Sequence, residues 1–447
     1  MPLLLRLCWC WILLLPVSSL LAQTPERTLR GHYVPVNLSL IPSVSLNRLV
    51  SERPERDVYN TISLGVLGSK AARLEGIALA GGWTSISEEV GGVMVAGLAN
   101  VAGENLHGGQ LAGLANVVGA GGSGIQAAGL ANVAGEAFGG IQASGLANVT
   151  GDAGWGAQVA GFANIIGEGA SAGQVAGFAN IAGGAMGGAQ VAGFANVAGE
   201  NAWGAQVAGF ANVAGETLHG AQVAGFVNVA GEQADVQVAG FANVTGEEMR
   251  GLQVAGLANV APVVRGVQVA PFNRAEEHTG LPIGLVSYVD RVGLHLDTWV
   301  DETGALLSAV RSGNRWFSNF AGVRARLLGD EAYRWGWVGG LGIHQALGDR
   351  TYGTLDAMYH QLVSQSFRHW DQRLVRLRAT VGYRFSDRLA LFGGPSLTAL
   401  FSDEDGGGDL APWSIYERAW SRTSVQVWPG FALGVRTRIR APRERMR

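Results

Sequence analysis

The sequence predicts an all-β protein, with a β-solenoid of about 14 sixteen-residue repeats followed by an antiparallel β-barrel-like domain. Three observations predict this fold. A glycine-rich phrase returns every sixteen residues through the middle of the chain. Apolar and polar residues alternate with a period of two in the last third. Glycine supplies 68 of the 447 residues, and each fixed glycine would cost a helix about 1 kcal/mol, so strands and turns are favoured.

The repeated phrase is clearest at Gly188–Glu200 and Gly204–Glu216, where it reads GAQVAGFANVAGE. Each repeat offers a β-prone core such as Gln190–Val197, followed by a glycine-rich turn. A fixed period in the tens of residues is typical of repeat architectures. If one repeat forms one coil, like residues stack on like residues at about 4.8 Å. The alternative is that the repeats are strands of one continuous antiparallel meander or barrel, in which equal residues would not stack.

An asparagine column is the most regular feature of the repeats. Stacked amides can both donate and accept hydrogen bonds along a solenoid, so we expect an inward-facing structural ladder. The glutamine column between Gln110 and Gln268 either does the same or faces water. The asparagines of the predicted ladder are Asn100, Asn116, Asn132, Asn148, Asn164, Asn180, Asn196, Asn212, Asn228, Asn243 and Asn259.

The bulky apolar residues of each core are spaced by three, as in Val191, Phe194 and Val197. A flat strand would place Val191 and Phe194 on opposite faces. We therefore expect a bend near Gly193 that turns both side chains inward.

The N-terminus has the layout of a secretory signal peptide over residues 1–22, with Arg6 ahead of an apolar run and small residues before Ala22. An uncleaved anchor helix is the alternative, although it would need about twenty apolar residues. Both cysteines, Cys8 and Cys10, lie in this leader. The mature chain is therefore expected to contain no disulfide and no thiolate metal site. Residues 23–59 are predicted to be a polar lead-in or cap.

Three further segments are predicted: a glycine-rich β repeat domain at 60–274, a linker at 275–280 and the barrel-like domain at 281–447. The repeat breaks down near Pro271, which stands where the repeat glycine is expected. In the barrel region, Val375–Phe385 alternates apolar residues with arginine-rich positions and is long enough to cross a membrane as a strand. A soluble sandwich or barrel is the alternative to an outer-membrane barrel.

Tryptophans in the barrel region favour the membrane alternative, because aromatic girdles mark the two interfaces of membrane barrels. We therefore expect the outer membrane to be a partner through 281–447. The tryptophans are Trp299, Trp316, Trp335, Trp337, Trp370, Trp413, Trp420 and Trp428.

The distribution of charge and the absence of known catalytic motifs limit the classes of function that the sequence supports. The net charge is −3 and basic residues are sparse in the repeats, which argues against nucleic acid as a partner. The glutamates that follow the turn glycines, such as Glu104 and Glu200, are expected to form a solvated edge; an acidic column that collects divalent cations is the alternative. No phosphate loop, zinc motif or nucleophile elbow is present. We therefore expect no catalytic residue, no cofactor and no metal.

The repeated phrase QVAGFANVAGE, with GLPIGLVSYVD at Gly280–Asp290 and RLALFGGPSL at Arg388–Leu397, resembles a bacterial family described only as surface repeat-containing proteins. The resemblance covers the chain from about Asn60 to the C-terminus. It implies a location in the envelope or at the cell surface, and the family brings no established activity.

Three functions are consistent with these features. The first is a non-enzymatic, exported envelope protein at the outer membrane or surface of a Gram-negative-type bacterium, which presents the repeats for structural or interaction roles to an unknown protein or glycan. The second is a small outer-membrane pore or transporter whose arginines line the lumen. The third is a carbohydrate-active β-helix enzyme, which would need a local cluster of acids with Lys or Arg.

Overall fold

The computed structural model describes residues 31–326, 335–363, 372–402, 410, 413–420 and 423–440. The predicted signal peptide at 1–22 lies outside the described residues. The protein is nearly all β, with 72% strand and 2% helix, and comprises a β-solenoid of about 14 turns and a closed eight-stranded antiparallel barrel. The predicted fold class is confirmed, and the alternative of one continuous antiparallel meander is wrong. The chain divides into two compact units, one ending at Trp203 and one beginning at Gly204.

The N-terminal cap occupies the start of the first unit. Its first strand pairs in parallel with its third and antiparallel with its second. Asn47 and Asn60 exchange side-chain hydrogen bonds of 2.8 and 3.0 Å, which fix the first helix over the first coil. The cap elements are β1 (His32–Ile41), β2 (Val44–Ser45), α1 (Leu46–Val50), α2 (Pro54–Asp57) and β3 (Val58–Gly65).

Each regular coil places a longer strand in one parallel sheet and a four-residue strand in a second. The solenoid strands after the cap are β4 (Gly68–Ala71), β5 (Arg73–Ala80), β6 (Trp83–Ile86), β7 (Val90–Ala96), β8 (Ala99–Ala102), β9 (Leu106–Ala112), β10 (Ala115–Val118), β11 (Gly122–Ala128), β12 (Ala131–Ala134), β13 (Phe138–Ser144), β14 (Ala147–Thr150), β15 (Gly154–Ala160), β16 (Ala163–Ile166), β17 (Ala170–Ala176), β18 (Ala179–Ala182), β19 (Met186–Ala192), β20 (Ala195–Ala198), β21 (Ala202–Ala208), β22 (Ala211–Ala214), β23 (Leu218–Ala224), β24 (Val227–Ala230), β25 (Gln233–Ala239), β26 (Ala242–Thr245), β27 (Glu248–Ala255), β28 (Ala258–Val260), β29 (Val263–Val264), β30 (Val267–Val269), β31 (Phe272–Ala275), β32 (Glu277–His278), β33 (Leu281–Ile283) and β34 (Val286–Val289).

The register follows the sequence period. In the first unit, β10 pairs with β8 so that Asn116 lies opposite Asn100. In the second unit, β24 pairs with β22 and Asn228 lies opposite Asn212. Repeated glycines allow this close stacking: a Cβ on Gly193 would overlap the carbonyl oxygen of Gly177 in the coil before it. Glycine is therefore required by contact between neighbouring coils.

The expectation that Val191 and Phe194 face inward is wrong. Their side chains are 44% and 42% exposed, whereas Gln190 and Ala192 are buried. Along β19 the side chains alternate, so burial of the glutamine sends the adjacent valine outward. The interior holds the amide columns, small residues and an apolar cluster that includes Leu106 and Phe138.

The solenoid also extends beyond the expected boundary at residue 274. The expected linker at 275–280 contains β32, which pairs in parallel with β29, and β33 pairs in parallel with β30. Pro271 does not end the solenoid, because its carbonyl still accepts hydrogen bonds from the backbone N–H groups of Leu285 and Val286. The proline removes one backbone donor and leaves the acceptor side of the ladder intact.

The barrel begins at Leu294, later than the expected start at 281. Consecutive strands pair antiparallel, and the first strand closes on the last with Trp299 opposite Gly434. One short strand pairs as a hairpin with the last strand outside the closed ring. The strands are β35 (Leu294–Asp301), β36 (Ala305–Gly313), β37 (Phe317–Arg326), β38 (Trp335–Ala346), β39 (Thr351–Val363), β40 (Gln372–Arg384), β41 (Leu389–Ser402), β42 (Tyr416–Trp420) and β43 (Thr423–Arg440).

Deletion of one whole repeat should leave a folded protein. Removing Gly124–Gly139 joins Ser123 to Gly140, which occupies the register position of Gly124. Because each coil contacts mainly its neighbours, we expect a cooperative melt and unchanged strand content by circular dichroism, with the loss of about one coil's contribution to stability. Deletion of half a repeat, Gly124–Ala131, is the control and should disrupt folding. A non-cooperative melt after the whole-repeat deletion would contradict this view of the solenoid.

Candidate functional sites

The predicted asparagines form a continuous ladder inside the first unit. Each Nδ2 group from Asn100 to Asn180 donates to the Oδ1 atom of the asparagine in the next coil at 2.9 Å. Asn148 also donates to the backbone carbonyls of Gln142 at 3.2 Å and Val159 at 2.9 Å. All the predicted asparagines are fully buried. These amides therefore satisfy carbonyl groups that point into the coil, where water cannot reach them.

The second unit contains a ladder of the same kind. Asn212, Asn228, Asn243 and Asn259 each donate to the next asparagine at 2.9 to 3.1 Å, and the last acceptor is Asn273. Asn273 was not among the predicted residues, because it follows Asn259 by 14 positions instead of the regular 16.

The last coil is hydrogen-bonded to the barrel. Asn273 donates to the hydroxyl of Ser287 at 3.1 Å, and Asn319 of β37 donates to the same hydroxyl at 3.0 Å. Asn314, in the β36–β37 turn, donates to the carbonyl of Gly280 at 2.6 Å. Side chains of the barrel thus form hydrogen bonds with polar groups of the last coil that a further coil would otherwise satisfy.

His278 lies near this junction, at the end of β32. Its Nδ1 atom accepts a hydrogen bond from the backbone N–H of Gly280 at 3.1 Å, and burial lowers the pKa of the imidazole to about 4. The folded pKa is below the ordinary value of 6.5. The stabilisation from keeping this ring neutral is therefore fully present above pH 6.5 and is lost as the pH falls towards 4.

The glutamine column forms a second buried ladder. Gln126, Gln142 and Gln158 each donate from Nε2 to the Oε1 atom of the glutamine in the preceding coil, at 2.6 to 2.9 Å. The asparagines donate towards the C-terminus and the glutamines towards the N-terminus. The two rows of amide dipoles therefore oppose each other and partly cancel.

The acidic column lies in the turns. Glu136, Glu168 and Glu200 are exposed. Partial burial raises the pKa of the Glu88 carboxyl, and the negative charges of Glu104 and Glu89 raise it further. The positive charge of Arg73 lowers this pKa but does not cancel the rise. Within the described residues, no group of three or more His, Cys, Asp or Glu is arranged to hold a metal ion.

A buried ionic network fills one level of the barrel lumen. Arg311 donates to the carboxylates of both Asp297 and Asp356 at 2.8 to 3.0 Å. Arg436 binds Asp297 with two hydrogen bonds of 2.7 and 2.8 Å, and Arg378 binds Asp356 at 2.7 Å. Five charged side chains from β35, β36, β39, β40 and β43 are thus joined across the lumen.

A second group of charges lies beside Trp428. Arg376 donates to Asp301 and to Glu302 at 2.8 Å each. Trp428 also donates to Glu302 at 2.8 Å, and the fully buried Arg324 approaches Asp301 to 4.0 Å. This pairing supplies the counter-charges that buried guanidinium groups need.

The sequence predicted the arginines of β40 inside the barrel but missed their acidic partners. In β35, Asp297 and Asp301 lie on the same face of the strand as the buried Trp299. In β39, Asp356 also lies on the buried face. Acidic residues at core-facing positions of an alternating strand were the sequence signal that could have predicted these partners.

The barrel exterior has the opposite character. Along β40, Val375, Leu377, Val381 and Tyr383 are exposed, while Arg376 is buried. The same inversion appears around the barrel. The exposed large apolar residues of the strands in the closed ring are Val300, Val323, Trp335, Trp337, Leu341, Ile343, Leu355, Tyr359, Val375, Leu377, Val381, Tyr383, Leu389, Leu391, Leu397, Phe401, Phe431, Leu433 and Ile439.

The solenoid also exposes apolar residues in register. In the first unit, the rings of Phe162, Phe178 and Phe194 stack with centroids 4.9 Å apart and planes within 1° of parallel. In the second unit, Phe210 and Phe226 stack at 4.9 Å. Because the ring faces cover one another, mainly the ring edges are presented to solvent.

In the described ranges, no helix combines the length and apolar character needed to cross a membrane. Comparisons with protein-family models, with curated proteins and with solved structures found no match for this chain.

Replacement of a ladder asparagine should be costly. Asn148→Ala removes a donor to the Gln142 and Val159 carbonyls and to Asn164. Each buried group left unsatisfied costs about 1–3 kcal/mol, so we expect a loss of more than about 2 kcal/mol. Asp152→Ala, at an exposed turn position of the same coil, should change stability by no more than about 0.5 kcal/mol. Equal denaturant midpoints for the two variants would show that the asparagine column does not support the fold.

The luminal network should be equally sensitive to the loss of one carboxylate. Asp356→Asn leaves Arg311 and Arg378 buried with less counter-charge, and we expect a loss of about 3–5 kcal/mol. The control is Asp387→Asn in an exposed turn of the same barrel. Unfolding in guanidinium chloride, followed by tryptophan fluorescence, compares the two. An unchanged midpoint for Asp356→Asn would mean that water, instead of protein charge, solvates these arginines.

Proposed function

We propose that this protein is a non-enzymatic outer-membrane protein of the bacterial envelope, whose barrel crosses the membrane as an anchor and whose solenoid serves structural or binding roles. The inverted polarity of the barrel carries the proposal: apolar side chains are exposed on the outside, and charged side chains are buried inside. In a water-soluble barrel this arrangement would place the least polar surface in water and the most polar groups in the core. In a lipid bilayer it is the expected arrangement.

The dimensions of the exposed band support the same proposal. On β40, exposed apolar residues extend from Val375 to Tyr383. Eight residue steps cover about 26 Å along a strand, or about 20 Å across the membrane at a tilt near 40°. This is close to the apolar band of about 25 Å found on outer-membrane barrels, whose smallest members have eight strands.

The contents of the lumen favour an anchor over a pore. The chain Arg436–Asp297–Arg311–Asp356–Arg378 connects side chains from strands on several sides of the barrel. The guanidinium groups of Arg378 and Arg311 also lie 4.5 Å from the ring centroids of Trp299 and Phe320. Side chains that are paired and packed in this way occupy the path that ions would need.

The exposed apolar face supports the role proposed for the solenoid. A regular series of exposed Leu, Val and Phe residues offers a partner the same contact in successive coils. The resemblance to surface repeat-containing proteins agrees with this placement. The carbohydrate-active alternative has no specific observation in its favour among the described residues.

A charge on the outer face of the barrel tests the proposal. Leu377 and Val223 are 52% and 42% exposed, so in water an arginine at either position should be tolerated. In a membrane, Leu377→Arg should cost about 2–4 kcal/mol near the midplane, whereas Val223→Arg on the solenoid should have little effect. Folding into phosphatidylcholine vesicles, titrated with urea, measures the difference.

Equal stability of these two variants, or recovery of the full chain as a soluble monomer without detergent, would contradict the membrane location. The pore alternative makes a separate prediction. Planar bilayers that contain the folded protein should show no stable conductance steps, and regular single-channel steps would favour the pore over the anchor.

A further inference from the structure

The N-terminal cap forms an apolar groove on the first unit. The groove has a volume of about 880 Å³ and lies between the surface of the parallel sheet and α1. Its size falls within the range of about 300–1,000 Å³ that is usual for sites that bind small molecules.

The floor of the groove is one column of residues in register. Leu38 lies opposite Leu64, Leu64 opposite Leu79, and Leu79 opposite Val95. Three steps between neighbouring strands cover about 14 Å. This matches one leaflet of a bilayer, since the hydrocarbon core of two leaflets is about 30 Å thick. The floor is therefore about as long as one acyl chain.

The opposite wall comes from the cap. Val44, Leu46 and Leu49 line the groove, and Leu49 is 83% exposed. Exposure of the Leu49 side chain on this five-residue helix contributes no hydrophobic stabilisation to the fold. Hydrogen bonds between Asn47 and Asn60 hold α1 in place, so the groove exists before any ligand enters.

One cation lines the groove. Arg48, on α1, is the only charged residue among the described residues that line it. Ser43 and Ser45 also line the groove, and the Ser45 hydroxyl caps α1 by accepting a hydrogen bond from the backbone N–H of Arg48. An apolar trough with a single positive charge fits a ligand that has one apolar tail and one anionic head.

We propose that this groove binds a long-chain fatty acid, with the acyl chain along the column from Leu38 to Val95 and the carboxylate at Arg48. The length of the floor argues for a single acyl chain of about one leaflet's thickness. The lone arginine argues for an anionic head group over a neutral one. The inference concerns the first unit and does not depend on the location of the barrel.

Photolabelling of the full chain tests this assignment. The purified full-length protein is labelled with a palmitic acid analogue that carries a diazirine on its chain, and the labelled peptides are mapped by mass spectrometry. We expect saturable labelling at β1, β3, β5 and α1. Palmitate should displace the label at least tenfold more effectively than octanoate or hexadecanol, because octanoate loses tail burial and hexadecanol loses the charge.

Matched variants locate the two ends of the site. Leu79→Asp should weaken labelling about tenfold or more, because it places a charge on the floor. Leu130→Asp is the control, because Leu130 is also exposed on the solenoid but lies outside the groove. Arg48→Glu should weaken displacement by palmitate about tenfold and leave displacement by hexadecanol unchanged. Circular dichroism of each variant checks folding, and the wild-type preference for chain length and charge tests the proposal independently of the variants.

Several outcomes would overturn the proposal. Labelling that spreads evenly along the exposed face, or equal displacement by octanoate and palmitate, would mean that no acyl site exists. Crosslinks from the groove to a second copy of the chain would assign it to self-association, and crosslinks to the segment before Gly31 would assign it to the chain's own N-terminus. Equal displacement by hexadecanol would exclude Arg48 as the head-group contact.

Discussion

Each sixteen-residue coil buries apolar side chains such as Leu106 and Phe138, yet the backbone carbonyl groups that point into the coil still need hydrogen-bond donors. The buried amides meet this need. Asn148 is representative: the two N–H donors of its Nδ2 group are shared among a carbonyl of its own coil, a carbonyl of the next coil and the next asparagine. Because each amide spans two coils, no coil is satisfied alone, and the stack is stabilised as a series of neighbours. The glutamine ladder repeats the arrangement with opposite polarity.

This use of the interior determines what faces outward. With Gln190 and Ala192 directed inward, Val191 must lie on the surface, and the same alternation recurs in β15, β17 and β23. The barrel shows a related inversion, since Arg376 and Arg378 are buried while Val375 and Leu377 are exposed. In both parts polar side chains lie in the interior and large apolar side chains are exposed to the external environment. The proposed anchoring and the proposed acyl site are two uses of this surplus apolar surface.

The sequence was informative wherever a period determined the structure. The sixteen-residue spacing predicted the solenoid, and the alternation at Val375–Phe385 predicted barrel strands. It did not reveal that Val191 and Phe194 face solvent, because the spacing of apolar residues alone does not show that Gln190 occupies a buried position of the strand. Nor did it reveal the end of the solenoid, since the backbone pairing that continues past Pro271 has no signature in the repeat phrase. The partnership of Arg311 with Asp297 and Asp356 depends on barrel closure, which brings distant strands together.

The central claim is that buried, mutually hydrogen-bonded amides hold the coils together, and side-chain hydrogen exchange tests it directly. NMR of the full chain in nanodiscs, with ¹⁵N-labelled asparagine and glutamine, would measure exchange of the Nδ2 and Nε2 protons with solvent. Amides in the ladder should exchange far more slowly than that of Asn105, an asparagine in a solenoid turn outside the column. Exchange of the column at the same rate as Asn105 would show that water reaches these amides, and the account of the solenoid would fail.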